Sequence, residues 1–462
     1  MHRTLLCAMA FAVASVVAPP ARAQDAELTK IREEIRQMKE AYERRIEALE
    51  KRLQETGAKA GKAEQAAAPA SSPPAGENAF NPAVSLILNG TLSNLKQDPA
   101  TYRIGGFVPS GGEVAPPRRG LSLGESELAM SANVDHLFRG ALFLAVAPEG
   151  GVEVEEGYVQ ALGLGRGFTV KAGRFFSGVG YQNEVHAHAR DFTDVPLASK
   201  VFLGGQLADD GVQVKWVAPT ELYADLGVEA GRGRKFPGGP DGGRSKNGFG
   251  AGTLFAHLGG DVGDSTAWRV GASHLRTSPR DRSYRDTDST GAEVTNGFTG
   301  RSRLWALDGV LKWAPNGNPT ERNLKLQGEY FRRSESGSLT YDTQAASLGT
   351  QTDRYRSKQS GWYLQGVYQF IPQWRAGYRY DRLDAGTTSI GLVNSGALGN
   401  ADFPILGGHN PQRNTLMVDW SPSEFSRLRL QVARDRSRVG EPDNQVFLQY
   451  IMSLGAHGAH RF

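Results

Sequence analysis

Residues 361–381 read Gly-Trp-Tyr-Leu-Gln-Gly-Val-Tyr-Gln-Phe-Ile-Pro-Gln-Trp-Arg-Ala-Gly-Tyr-Arg-Tyr-Asp. In an extended chain successive side chains point to opposite faces. Trp362, Leu364, Tyr368 and Phe370 then share an apolar face, backed by Tyr363, Gln365 and Gln369. Ile371-Pro372-Gln373 breaks the run. Trp374, Ala376, Tyr378 and Tyr380 resume it, backed by Arg375, Arg379 and Asp381. This is a hairpin with one greasy face and one wet face.

The same alternation recurs outward along the chain. Leu128, Met130, Ala132 and Val134 form one such face, and Phe138, Leu142, Leu144 and Val146 another. Leu428, Leu430 and Val432, then Val446, Leu448, Tyr450 and Met452, close the series. Sixteen segments begin near Ala83, Leu121, Leu137, Val152, Phe168, Gly211, Leu222, Ala251, Ala267, Leu304, Leu324, Gly361, Trp374, Arg413, Arg427 and Gln445. Short connectors such as Ala218-Pro219-Thr220 and Ser421-Pro422-Ser423 alternate with mostly longer polar ones. The long ones are Leu95–Gly120, Ser177–Gln206, Gly231–Gly250, Arg276–Ser302, Arg333–Ser360 and Leu383–Gln412. All the long connectors then lie at one end and both termini at the other, which is the asymmetry of a transmembrane barrel. The chain also ends in Phe462. The expected fold is all-β: a sixteen-stranded antiparallel transmembrane β-barrel over 83–462, with a polar, water-filled lumen. The competing architecture, a soluble sandwich or propeller, would hide its apolar faces in a core and need no loop asymmetry.

Composition agrees. The 462 residues include 57 glycines, with 39% hydrophobic, 22% charged and 9% aromatic residues. A helical transporter needs several apolar runs of roughly 20 residues, and none is present. A formal charge of +4 gives no sign of a nucleic-acid partner.

Residues 1–23 read as an export signal: Arg3, an apolar stretch Leu5–Ala18, and Ala21-Arg22-Ala23 as cleavage site. The sole cysteine, Cys7, leaves with it. Residues 24–57 lack Pro and Gly up to Gly57 and carry Leu28, Ile31, Ile35, Met38, Tyr42, Ile46, Leu49 and Leu53 at heptad spacing with one stutter. This seam predicts a short periplasmic coiled coil, with a weak lean to three strands. The alternative is an isolated solvated helix. An Ala/Pro/Ser-rich tether follows over 58–82.

Coiled coil, tether, sixteen-strand pattern and terminal Phe together resemble the phosphate-selective porin (O/P-type) family. The closest local match is Val152–Phe176, an acidic-aromatic strand, a turn and a strand ending in Gly173-Arg174-Phe175. The resemblance implies a trimeric outer-membrane channel passing small solutes by diffusion and preferring anions. Ser177-Gly178-Val179-Gly180 stands where that family has a Pro-Phe-Gly turn, and its arginine ladder and lysine ring have no residue-by-residue match.

No catalytic motif stands out, so no enzyme activity is expected. In general porins the third loop commonly folds into the lumen and sets its constriction; here that loop, Ser177–Gln206, carries His186, His188, Arg190, Asp191, Asp194 and Lys200. An outward rim loop is the alternative. His186 and His188 with Asp191 and Asp194 also form half of a possible zinc site; His457 and His460 make a second pair at the opposite end. Strand parity projects Arg139, Lys171, Lys215, Arg269, Lys312, Lys325, Arg375, Arg379, Arg427 and Arg429 onto the lumen wall. Glu127, Glu153, Glu155, Asp308, Glu329, Asp381 and Asp419 share it, a balance that weakly favours anions. The expected partners are outer-membrane lipid, further copies of the chain as a homotrimer, and small solutes. A zinc-linked channel and a structural envelope protein anchored by its barrel are the alternative functions.

Overall fold

Period-two alternation becomes β-strand throughout the second unit of the chain, which divides between Ala79 and Phe80. The structure, a computed structural model, describes residues 82–111, 114–147, 150–239 and 248–455. The signal, the seam from Leu28 to Leu53, the tether up to residue 81, and His457, His460 and Phe462 lie outside the described residues.

Eighteen hydrogen-bonded segments form one sheet. They make sixteen strands, because two strands are each interrupted once. In chain order these are β1 (Ala83–Leu95), β2 (Gly120–Leu123 and Ser126–Asn133), β3 (Phe138–Val146), β4 (Val152–Ala161), β5 (Phe168–Phe176), β6 (Ala208–Val217), β7 (Tyr223–Gly231) and β8 (Ala251–Val262). Then come β9 (Thr266–Thr277 and Arg282–Thr287), β10 (Glu293–Trp313), β11 (Asn323–Tyr341), β12 (Gln351–Ile371), β13 (Trp374–Ile390), β14 (Gln412–Ser423), β15 (Ser426–Asp435) and β16 (Asp443–Gly455). Each pairs antiparallel with its neighbours. β1 pairs with β16 from Ser85–Gly455 to Leu95–Gln445 and with both parts of β2, so the sheet closes on itself. Pro279 and the positive φ of Asp281 account for the break in β9, where the ladder cannot run through.

The outer face is apolar and rimmed by aromatics at both ends. On β10 the outward positions run Trp305, Leu307, Gly309, Leu311, Trp313. Eight residues of strand cover about 27 Å, of the order of the roughly 25 Å apolar band of membrane barrels. Trp374 stacks on Trp420 at 6.0 Å at the terminus end, and Trp362 meets Tyr380 edge-on at 5.5 Å at the loop end. Interfacial rings of this kind place an apolar body beside a polar rim.

Two stretches expected as loops are largely strand, and a third begins as strand. β9 to β12 run well past the aromatic rim, leaving only residues 288–292 and 342–350 as tips, and β13 extends to Ile390. The segments expected from Leu304 and Gly361 therefore start at Glu293 and Gln351. Above Trp305 and Trp362 the outward positions become Arg301, Arg303, Arg354, Arg356 and Lys358. Past the membrane the outer face meets water, so the lipid-facing pattern disappears while the ladder continues.

The lumen is also less polar than expected. The first connector (Ile104, Phe107) and the third (Leu197, Val201, Phe202) pack against inward Leu275, Leu304, Phe331 and Leu383. Higher up, Leu392, Phe403 and Leu406 of the seventh connector pack against Tyr284, Phe298, Leu339 and Tyr355. Part of the barrel is filled by an apolar core built from its own loops.

Leu364 is 57% exposed on the outer face. Leu364→Arg is expected to destabilise the barrel by about 1–2 kcal/mol in lipid vesicles, between the cost of a cation at the interface and at the bilayer midplane. Urea unfolding measures it, and an unchanged midpoint would contradict the assigned outer face.

Candidate functional site: the loop inside the barrel

The connector between β5 and β6 runs through the lumen, and its sequence sets its shape. Pro196 precedes the short helix α1 (Leu197–Leu203), whose residues are all buried. Gly204 ends it at φ +68°, a left-handed conformation suited to glycine. The helix start is satisfied from the wall: Leu197 N–H donates to Asp381 Oδ1 at 2.9 Å.

Wall carboxylates hold the loop's entry. Gly178 N–H donates to Glu229 at 2.8 Å, and Tyr181 N–H donates to Glu329 at 2.5 Å. Wall cations hold its far side. Arg427 donates to the His188 carbonyl at 2.5 Å, Arg429 to that of Arg190 at 3.0 Å, and Arg333 to that of Val201 at 3.2 Å. Asp191 meets Lys325 at 2.9 Å and Arg375 at 3.3 Å; Arg375 also pairs with Asp419. Asp194 meets Arg379 at 3.0 Å, Lys200 at 3.5 Å, and Arg413. Burial alone would raise both aspartates. Facing Lys325 and Arg375 hold Asp191, and Arg413, Arg379 and Lys200 hold Asp194, well below the usual carboxylate range.

His186 goes to the opposite wall. Its Nδ1 lies 3.1 Å from Glu127 Oε2 and 3.2 Å from Glu155 Oε2, and its Nε2 lies 3.1 Å from Glu156 Oε2. His188 Nδ1 is 3.3 Å from the same Glu127 oxygen. Burial lowers the His186 pKa, but the carboxylates outweigh it and carry the imidazole well above its ordinary value. Two consecutive glutamates reach one ring because β4 is bulged. Glu156 pairs with Phe143 and Val154 with Leu144, which leaves Glu155 as an extra residue. A bulge re-aims side chains in this way. Just beyond it, Gly173 has φ +130°, and a Cβ there would lie 2.2 Å from the Gly157 carbonyl oxygen. The Gly173-Arg174-Phe175 step thus has a backbone reason for its glycine.

The loop therefore gathers the residues singled out in the sequence, but not in one place. His186 and His188 find Glu127, Glu155 and Glu156, while Asp191 and Asp194 are taken by cations across the lumen. The expected pairing of the histidines with those aspartates does not form. Arg190 bonds Gln206 within the loop at 2.5 Å, and Lys200 is buried near Tyr102. Arg174 points outward and pairs with Asp210 at 2.7 Å.

The wall cations separate by height. At the level of the loop Arg379, Arg413 and Arg429 have 1% side-chain exposure. Toward the terminus end Lys325 and Arg375 keep 22% and Lys215 28%. Arg139 there is exposed, and Lys312 and Arg427 are half-buried. Lys215 pairs with Asp225 at 2.6 Å and Arg269 with Asp308 at 3.6 Å. Lys171 is buried over the Tyr158 ring at 4.6 Å. Sequence reading missed Arg413, Arg333 and Glu156. Parity extended past the last apolar position would have found Arg413. Glu156 carried no signal, since the bulge reverses parity at that point.

A closed sixteen-strand barrel with an aromatic-rimmed apolar exterior and a loop drawn into its lumen is a transmembrane β-barrel of porin-like fold. No family model matches the chain. It is 30% identical over 420 residues to an uncharacterized protein of Aquifex aeolicus (strain VF5), covering 84% of this chain and 81% of that protein, and it belongs to that protein's family. Among solved structures it is similar to a loop L8 deletion mutant of OmpT, an outer membrane protein of Vibrio cholerae (12% identity, 81% and 99% of the two chains, TM-score 0.48). It is also similar to an anion-selective porin from Comamonas acidovorans (11%, 81% and 99%, TM-score 0.48) and to the outer membrane channel DcaP of Acinetobacter baumannii (13%, 81% and 97%, TM-score 0.46).

Asp194→Asn leaves Arg379 and Arg413 without their shared charge, though Arg379 keeps Asp381 at 3.0 Å, and is expected to destabilise the folded chain by about 1–3 kcal/mol. Urea unfolding and tryptic cleavage of the loop report it; Asp384→Asn, on the exposed surface, should change neither. The pH dependence follows from the depressed aspartates. Their contribution is fully present well above the ordinary value of about 3.9 and is lost progressively as pH falls from there to the lower folded value. The stability gap between wild type and Asp194→Asn is therefore expected to stay constant from pH 7 downward and to begin shrinking as pH nears about 4.

Proposed function

We propose that the protein is an outer-membrane porin through which small hydrophilic solutes diffuse, with a preference for anions. The observation that carries this reading is the water-exposed set Arg139, Lys215, Lys312, Lys325, Arg375 and Arg427 on the terminus side of the inserted loop. The nearby carboxylates, Asp191, Asp225 and Asp419, are fewer than these cations. Charge in a low-dielectric pore concentrates counter-ions and biases which ion enters. In this reading the loop Ser177–Leu207 sets the narrowest level, and residues such as Asp191 fix its position. The terminus end faces the periplasm, where the Leu28–Leu53 seam brings three chains together. The resemblance to phosphate-selective porins supports small anions as the solute class.

Planar-bilayer recording tests this. Wild type is expected to conduct and to show an anion-biased reversal potential in about 0.1 M KCl, where the Debye length is about 10 Å. Arg139→Glu with Lys312→Glu should move that potential toward cation selectivity, and about 1 M KCl should shrink the difference. Absence of any conductance would sink the porin reading and favour a barrel that only anchors an envelope protein. Assembly is tested separately by light scattering in mild detergent: a trimer is expected, loosened by Ile31→Asp with Ile35→Asp, which puts charge into an apolar seam.

A further inference from the structure

The loop's histidines meet the wall in an arrangement that the porin reading does not use. We propose that His186 Nδ1, Glu127 Oε2 and Glu155 Oε2 form a binding site for a divalent first-row transition ion, with Zn²⁺ as the ion to test. The ion fastens the loop to β2 and β4.

Geometry carries this. Zn²⁺ with bonds of about 2.0–2.2 Å holds tetrahedral ligand atoms about 3.3–3.5 Å apart. Here Nδ1 of His186 lies 3.1 and 3.2 Å from the two glutamate oxygens. The ligand atoms of Glu127, Glu155 and His186 all fall within 4.8 Å of one another. A single N–H on Nδ1 cannot point well at both carboxylates, whereas one ion between them serves all three groups.

The remaining atoms match the same reading. With Nδ1 on a metal, the His186 proton resides on Nε2, which faces Glu156 Oε2 at 3.1 Å. A carboxylate behind a metal-bound imidazole fixes its tautomer and raises its basicity. The rings of Phe143 and Phe176 lie 4.7 and 5.1 Å from that of His186 and form an apolar wall. Three carboxylates around one ring also give the negative charge that a divalent ion neutralises. Mixed imidazole and carboxylate donors select transition ions over Mg²⁺ or Ca²⁺, which take oxygen ligands.

The parts converge from far apart: a turn of the loop, the middle of β2, and the bulge of β4. The metal would thus join the loop to the wall opposite the cations that hold Asp191 and Asp194. Loop position, and with it the lumen cross-section, would respond to zinc.

Isothermal titration of the full-length, EDTA-stripped protein in detergent with ZnCl₂ tests the site. The background is His457→Ala with His460→Ala, which removes the other histidine pair. One Zn²⁺ per chain is expected. His186→Ala should weaken binding by about 100-fold and Glu156→Gln by about 10-fold, the size of outer-shell effects. Zinc-edge X-ray absorption should give an N/O shell at about 2.0–2.1 Å with imidazole scattering. Unheated electrophoretic mobility confirms that each variant retains its barrel. Should any variant fail to fold, the wild-type X-ray absorption still decides, because a spectrum without imidazole scattering overturns the site. Zinc uptake that His186→Ala leaves unchanged, or no uptake, also overturns it; the cluster then holds the loop by a proton on His186 alone. Binding is read without conduction, so a silent bilayer and an empty titration are separate results.

Discussion

Strand β1 hydrogen-bonds to both β16 and β2, and the rest of the molecule depends on that closure. Hydrocarbon offers no partner to a free N–H or C=O, so a sheet that crosses it must have no edge. Once closed, each strand has an outside and an inside, and every side chain is assigned to lipid or lumen by parity. The outside needs only apolar bulk with aromatics at both rims. The inside must place charged groups in a confined space and find partners for them.

The loop between β5 and β6 supplies many of those partners. Glu229 and Glu329 accept from its backbone, Arg427 and Arg429 donate to its carbonyls, and Asp191 and Asp194 enter clusters of lysine and arginine. A buried charge without a partner costs several kcal/mol. Loop and wall therefore support each other: the loop completes the bonding of wall charges that also pair within the wall, such as Arg379 with Asp381, and the loop's polar backbone could not sit inside without the wall. Cations nearer the termini, such as Arg139 and Lys215, keep contact with water.

The fold was legible because its signals are local. Alternation at residues 361–381, the Pro-bearing turns and the spacing of aromatics each occupy a few neighbours, and most strand starts were found within a few residues. The extensions of β9 to β12 were not, since outward Arg301, Arg303, Arg354 and Arg356 look like loop once the lipid-facing pattern stops. The apolar filling of the lumen was missed for a related reason. Leu275, Leu304, Phe331 and Leu383 read as part of a polar wall until two inward loops are seen to cover them.

By itself the sequence determined which face of each strand is apolar, where most turns fall and which cations line the interior, because side-chain parity is fixed by covalent geometry. It also marked the third long loop by its histidines and aspartates. Only the tertiary structure decided what those groups touch. Arg413 lies 219 residues from Asp194, and no spacing rule links them. The extra residue in β4 that turns both Glu155 and Glu156 toward His186 is a property of pairing with β3, since a bulge exists only between two strands. Distance along the chain carries no information about which wall a loop meets after the sheet has closed around it.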